Sequence, residues 1–287
     1  MMQMQQEDEL AENPADQGTA GAFLHWTSAF FPGLEFTTRS PHTHYYRHHV
    51  HDPLEITWVM SGTAHVAYRD RHWDLACGSG FLVAPREPHA GGARHGLPIS
   101  FVTLHLPAEL LPSIAACRGL DLARLPVVAT RAAVRPLLDT LADRMQQATS
   151  AGEQIEALAD MLAGYLVSDT GTTLMPAPDE AGHPAVHQIR RMLDDAYEQE
   201  VPVAELADAV HLHERYLISL FKTATGIPPH QYLIARRLER ARRMMDRHQS
   251  LCTVAAATGF TDQSHLTRHF KRTFGITPGA YQRDMGD

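Results

Sequence analysis

The sequence predicts an α+β protein of two domains: an N-terminal β-barrel followed by a pair of helices, then a C-terminal all-α domain carrying two helix-turn-helix units. Three observations predict it. From about Phe23 to Leu106 the chain runs in short apolar segments rich in Val, Ile, Thr, Phe and Trp (LEITWVMSG, TAHVAYRD, GFLVAP, PISFVTLHL), separated by Pro, Gly and Asp; that is strand texture at the spacing of a sandwich or barrel. After Pro126 the apolar residues recur at helical intervals instead. The C-terminal third then contains a two-fold internal echo, each copy a short helix, a tight turn and a longer helix.

From the N-terminus onward, residues 1–21 are polar, acidic and without apolar periodicity, the composition of a disordered tail. Residues 22–126 form the barrel. Within 127–168, Val134, Leu138, Leu141 and Met145 make one helical stripe, and Ile155, Leu158, Leu162 and Leu166 make a second after a break at Ser150-Ala151-Gly152. Such a pair either covers the barrel or packs against its copy in a second subunit, as a dimerisation and coupling segment. A homodimer is the expectation that the second arrangement carries. Residues 169–184 (DTGTTLMPAPDEAGHP) are rich in Pro, Gly and Thr and read as a linker. Residues 185–287 read as the helical domain.

Composition narrows the classes. Three cysteines, Cys77, Cys117 and Cys252, lie far apart without a CxxC pair, which argues for a reducing cytoplasm and against a disulfide framework. No apolar run approaches the ~20 residues of a membrane span, and the acidic, Gln-rich start is unlike a signal peptide; no membrane partner is expected. The net charge of −8 divides unevenly. Residues 183–287 hold 14 Lys+Arg against 12 Asp+Glu, and residues 211–283 hold 12 against 4. A cationic segment on an acidic body is the footprint of a local DNA-binding surface.

The echo pairs Ala204 to Tyr232 with Thr253 to Tyr281. Leu and Phe stand four residues apart in each longer helix (Leu217/Phe221, Leu266/Phe270), and each copy closes on Gly-Ile, Pro and Tyr (Gly226 to Tyr232, Gly275 to Tyr281). Helix, turn, helix is the layout that places the second helix in the major groove. In the second copy Gly259 suits a positive φ after the short helix, and Asp262 is a good N-cap. With Leu266 and Phe270 inward, Ser264, Thr267, Arg268 and Lys271 face outward, and Gln263 sits in the first turn, where side chains reach base edges most easily; Gln and Arg suit bidentate reading of adenine and guanine, and Lys271 suits a phosphate. In the first copy Leu217, Leu220 and Phe221 point inward, while Arg215, Ile218, Ser219 and Lys222 point outward. His213 stands where Ser or Asp caps better, so this helix start is expected to be the weaker. Between the copies, QYLIARRLERARRMMDRH places Ile234, Leu238, Ala241 and Met245 on one face and Arg236, Arg240, Arg243 and Arg247 on the other. That reads as a rigid strut with a solvated arginine face.

The region from about Val186 to Tyr281 resembles the DNA-binding domain of the AraC/XylS family, most specifically through AAATGFTDQSHLTRHFKRTFGITPGAYQR and secondarily through LFKTATGIPPHQYLIARRLERARRMM. The resemblance implies a transcription regulator that places two recognition helices in successive major-groove faces of double-stranded promoter DNA, with RNA polymerase as a candidate second partner. His213 at the cap and Ala256-Ala257 in the short helix depart from the family pattern.

In the N-terminal half, RHHVHDPLEITWVMSG carries His49-x-His51-x3-Glu55-x6-Gly62. Alternate residues of a strand share a face, so His49, His51 and Glu55 are expected to point the same way. This spacing matches the first cupin metal motif, and Ala84 to His89 (APREPH) is a degraded second motif that keeps its histidine. About Thr37 to Leu106 thus resembles the cupin-like sensor domain of many AraC-type regulators, which implies a small-molecule effector in the barrel. His49, His51, Glu55 and His89 either line that pocket or hold a divalent metal such as Fe, Mn, Ni or Zn. The alternatives to an effector-controlled regulator are a metal-dependent cupin enzyme, which would not need the C-terminal third, and a metal or redox sensor.

Overall fold

The computed structural model describes residues 23–120, 128–131, 135–167, 173–175 and 183–284. The predicted tail, Val134 and most of the predicted linker lie outside them.

The strands are β1 (Phe23–Thr27), β2 (Glu35–His42), β3 (Tyr45–His49), β4 (Leu54–Ser61), β5 (Thr63–Tyr68), β6 (Arg71–Ala76), β7 (Gly80–Val83), β8 (His89–Ala93), β9 (Ile99–Leu106), β10 (Val128–Arg131) and β11 (Thr173–Met175). They pair antiparallel into a large sheet of order β1-β2-β9-β4-β7-β10-β11 and a small one of order β3-β8-β5-β6. Three helices follow the first strands: α1 (Leu111–Arg118), α2 (Arg135–Gln147) and α3 (Ala151–Val167).

Strand parity decides what each face of the large sheet does. The even-numbered residues Leu54, Ile56, Trp58, Leu82, Leu104 and Leu106 form one core with Leu138, Leu141, Met145, Leu158, Leu162 and Tyr165 of α2 and α3. The odd-numbered residues face the barrel interior, where registered polar rows cross three strands: Glu35 opposite His105 opposite Glu55, and Thr37 opposite Thr103 opposite Thr57. One of two open arrangements is taken up here, and one expectation changes. The helical stripes of 127–168 close over the chain's own barrel, because the even face of the sheet offers them an apolar partner. The interval expected to be all-β contains α1, while β10 and β11 arise inside segments expected to be helix and linker.

The C-terminal half consists of α4 (Pro184–Asp195), α5 (Val203–Ala209), α6 (Glu214–Thr225), α7 (Pro229–Met245), α8 (Leu251–Ala257), α9 (Gln263–Phe274) and α10 (Pro278–Asp284). The echo is therefore α5–α6 and α8–α9, joined by α7. Each unit has its own apolar core. One is centred on Ile189, Leu206, Leu217, Phe221 and Tyr232, the other on Leu238, Met245, Val254, Leu266 and Phe270. Both cores also take in the barrel, through Val50 in the first and Tyr46 in the second.

Docking of the two halves is ionic as well as apolar. Arg236 is 0% exposed, with Nη1 2.7 Å from Asp52 Oδ1 of the β3–β4 connection and Nε 2.7 Å from Asp194 Oδ1 of α4. Arg190 reaches Glu87 at 2.7 Å, and Glu87 in turn accepts from Tyr68. The arginine face of α7 is thus only partly solvated, with Arg236 buried and the rest partly or fully exposed. Only Arg247 of the four is exposed, while Arg240 and Arg243 lie 3.4 and 3.5 Å from Asp52. A charge buried to this extent requires a partner, and Asp52 supplies it from 184 positions away.

Two turns of the barrel, one within the small sheet and one between the two sheets, seat on the ends of α6 and α9. Both helices terminate in a left-handed glycine, Gly226 (φ 87°) and Gly275 (φ 77°), as C-terminal caps commonly do. A Cβ on Gly226 would stand 3.0 Å from the Arg69 Cα of the β5–β6 turn. One on Gly275 would stand 2.6 Å from the His44 ring of the β2–β3 turn.

Candidate DNA interface and effector cavity

The two faces predicted to read DNA are largely solvent-exposed, and that of α9 borders the barrel. On α6, Arg215, Ser219 and Lys222 are exposed and Ile218 is 36% exposed, while Leu217 and Phe221 are fully buried. On α9, Gln263, Ser264, Arg268 and Lys271 are exposed and Thr267 is half-buried, above Leu266 and Phe270. The wheel assignments hold because the 3.6-residue period leaves one stripe for the core and the rest for solvent. Asp262 caps α9 by accepting from the His265 amide at 2.8 Å, and Gly259 takes φ 77°. His213 does more than its residue type predicts: its Nδ1 accepts from the Arg215 amide at 3.3 Å and caps α6. Sequence reasoning missed Tyr216, which is 53% exposed beside Arg215. It also missed that Arg47 and His44 of the barrel share a shallow groove with Gln263, Arg268, Lys271 and Arg272.

Behind α9 lies a cavity of about 130 Å³. Its barrel side carries the odd-numbered polar rows with Phe81, Ile99 and Phe101. Its other wall is Phe270 and Phe274 of α9, Tyr281 of α10 and Arg242 of α7. At its polar end, ligand atoms of His49, His51, Glu55 and His89 lie within 4.8 Å of one another. The expectation that His49 and His51 share a strand does not hold. β3 ends at His49, and His51 sits in the connection to β4, which carries Glu55; the chain turns there, and the three converge from separate backbone segments.

Burial and the neighbouring rings of His89 and His51 hold His49 well below the ordinary histidine range. Burial, reinforced by His51, also lowers His89. His105, missed in the sequence because only strand register brings it opposite Glu55, is pushed by burial to about 4. His51 differs. Burial alone would lower it, but Glu55 on one side and Glu239 on the other outweigh burial and raise it to about 9. Burial would raise Glu55, yet His51, His89 and His105 together hold it well below the usual carboxylate range.

The residues fit a divalent cation on two grounds. The donor set is three imidazoles and a carboxylate, which suits Fe, Mn, Ni or Zn. The rings are also oriented as ligands are. His49 Nδ1 faces the Arg47 carbonyl at 2.7 Å and His89 Nδ1 faces the Glu87 carbonyl at 2.9 Å. A carbonyl only accepts, so each Nδ1 carries the proton and each Nε2 keeps its lone pair; His89 Nε2 is buried without a hydrogen-bond partner.

Residues 31–163 match the AraC-like ligand binding domain, and residues 206–284 match a helix-turn-helix domain. The chain is 28% identical over 249 residues to the HTH-type transcriptional activator RhaS of Pectobacterium carotovorum, covering 84% of this chain and 88% of that protein. It is 34% identical over 103 residues to the probable transcriptional regulator LumQ of Photobacterium leiognathi, spanning 42% of that protein. Among solved structures, ToxT from Vibrio cholerae superposes with a TM-score of 0.64 in an apo form (12% identity, 90% of this chain and 100% of that one) and 0.59 in a form with bound unsaturated fatty acid; at that identity the likeness is one of fold. No helix among the described residues is long and apolar enough to cross a membrane. These relatives are transcription regulators rather than enzymes, and with a ligand-binding domain ahead of a helix-turn-helix domain the chain belongs to the AraC family of transcriptional regulators.

Proposed function

We propose that this regulator acts in the cytoplasm, reads promoter DNA with the outward faces of α6 and α9, and is controlled by an occupant of the cavity behind α9. One observation carries the reading: Phe270 and Phe274 line the cavity on the same helix whose other side presents Ser264 and Arg268, and whose first turn presents Gln263, to solvent. A ligand that favours one packing of that wall changes the placement of the reading face, and its leverage equals its difference in affinity for the two packings. The cavity pairs an apolar wall with a polar end, so an amphipathic small molecule suits it; the unsaturated fatty acid bound by ToxT is of that kind. The cation reading places Fe, Mn, Ni or Zn on His49, His51, Glu55 and His89 at the polar end, alone or beneath such a molecule.

The apolar stripes of α2 and α3 are taken up by the barrel, so a homodimer would use their exposed outer faces or another surface. Sedimentation with and without DNA tests it, and RNA polymerase contact is read separately by transcription in vitro. The central experiment is selection of DNA fragments by the purified chain, with and without divalent metals or fatty acids. Arg268→Ala should then cost ~1–3 kcal/mol and relax specificity at one position. Equal loss on all sequences would make Arg268 a phosphate contact, and no loss at all would remove α9 from the interface.

A further inference from the structure

Each histidine of the cation cluster has a second ring nitrogen that faces an oxygen. For His49 and His89 that oxygen is a main-chain carbonyl of the barrel itself. For His51 it is not. Its Nε2 lies 2.9 Å from Glu55 Oε2 inside the cluster, and its Nδ1 lies 3.6 Å from Glu239 Oε2 on α7, in the DNA-binding half. Glu239 is 1% exposed and is steadied there by Arg242 at 3.1 Å and Arg243 at 3.2 Å.

Resting on the cation reading above, we propose that Glu239 is the outer carboxylate of the barrel's cation site, so that a divalent cation binds the docked arrangement of the two halves more tightly than the undocked one.

The chemistry is that of a carboxylate–histidine–metal relay, completed when Glu239 closes from 3.6 Å to hydrogen-bond distance of His51 Nδ1. A carboxylate that accepts from the far N–H of a ligating imidazole fixes its tautomer, orients the ring and makes it a better donor; removing such a partner typically weakens binding about 10- to 100-fold. In a protein whose outer carboxylate belongs to the same domain, that effect stays local. Here the carboxylate leaves with α7 whenever the halves separate. Linkage is reciprocal, so whatever factor Glu239 contributes to cation affinity, the cation returns to docking. The same helix carries Arg236, the buried partner of Asp52, and Asp52 directly follows His51 in sequence. Occupancy at the cluster and the seating of α7 are thereby properties of one connected set of groups. Glu239 is a positioning residue in this scheme and touches no cation itself.

The test measures Zn²⁺ and Co²⁺ affinity of the full chain by competition with a chromophoric chelator, in wild type, Glu239→Gln and His89→Ala. Glu239→Gln keeps size and hydrogen-bonding capacity while losing charge, and should weaken binding about 10- to 100-fold. His89→Ala should abolish binding. Hydrogen exchange of the α7 amides in the wild-type chain supplies a readout that needs no variant: protection should rise on adding Zn²⁺. If Glu239→Gln binds as wild type does while His89→Ala does not, the cation site stands and the role of Glu239 is overturned. Unchanged α7 protection at saturating Zn²⁺ overturns it equally. If wild type binds neither ion, the cation reading falls and this inference falls with it.

Discussion

Arg236→Met removes the one fully buried cation of α7 while keeping most of its volume. Arg236 is 0% exposed and sits 2.7 Å from carboxylates on both sides, Asp52 of the barrel and Asp194 of α4. Deleting one partner of a buried pair costs about 3–5 kcal/mol, because the other charge stays buried and uncompensated. Asp52 would keep Arg86 at 3.3 Å, Arg240 at 3.4 Å and Arg243 at 3.5 Å, and Asp194 would keep Tyr232 at 3.1 Å. The loss should therefore fall near the lower end, ~3 kcal/mol. Because two domains need not unfold together, the suitable assay is native-state hydrogen exchange of the α7 amides, which reads local opening. Pairing the variant with Asp52→Asn in a double-mutant cycle isolates the link between the halves, with an expected coupling of about 1.5–3 kcal/mol. Additivity of the two single effects within ~0.5 kcal/mol would refute the claim that this pair fastens the DNA-binding half to the barrel.

Leu266→Ala, at a position of 0% exposure, should destabilise the second unit by ~2–5 kcal/mol and abolish specific DNA binding. Ile218→Ala, at 36% exposure, should leave the urea midpoint nearly unchanged yet reduce discrimination at a thymine; the paired midpoints and binding curves separate packing from reading. His269, on the inner flank of α9, is lowered to about 4 by burial and by His265, Arg268 and Arg272. A histidine depressed in the fold stays neutral there while the unfolded chain takes up the proton near pH 6.5, so its contribution is complete above 6.5 and is lost as pH falls from 6.5 toward 4. The drop in urea midpoint between pH 7.5 and 5 should accordingly be smaller in His269→Gln than in wild type, and equal drops would count against it.

Local periodicity made the two reading helices legible. The Leu217/Phe221 and Leu266/Phe270 stripes fix the buried side, so Arg215, Ile218 and Arg268 follow from the wheel alone, and Gln263 from its place in the first turn. The His49, His51, Glu55 and His89 set was legible by residue type, although its geometry was not: His51 reaches the cluster from a turn rather than from the strand of His49. What stayed hidden depends on contacts distant in sequence. A helical wheel sees that Arg236 lies opposite Ile234, but not that Asp52 and Asp194 wait on that side. His105 joins the site only through strand register, and Glu239 only through docking. The stripes of α2 and α3 were equally readable, whereas their partner, the even face of the large sheet, emerges only once the sheet is assembled.

The seating of Arg69 on Gly226 and of His44 on Gly275 bears on how freely regulators of this architecture exchange parts. A sensor barrel grafted from another protein onto this DNA-binding half would have to bring two turns of matching reach, spaced as the β5–β6 and β2–β3 turns are. Each would meet a helix end where even a methyl group has no room. Joining the chains at 169–184 satisfies connectivity alone. A working chimera inherits its constraint from those two turns, and they, rather than the junction, are the positions to transplant together.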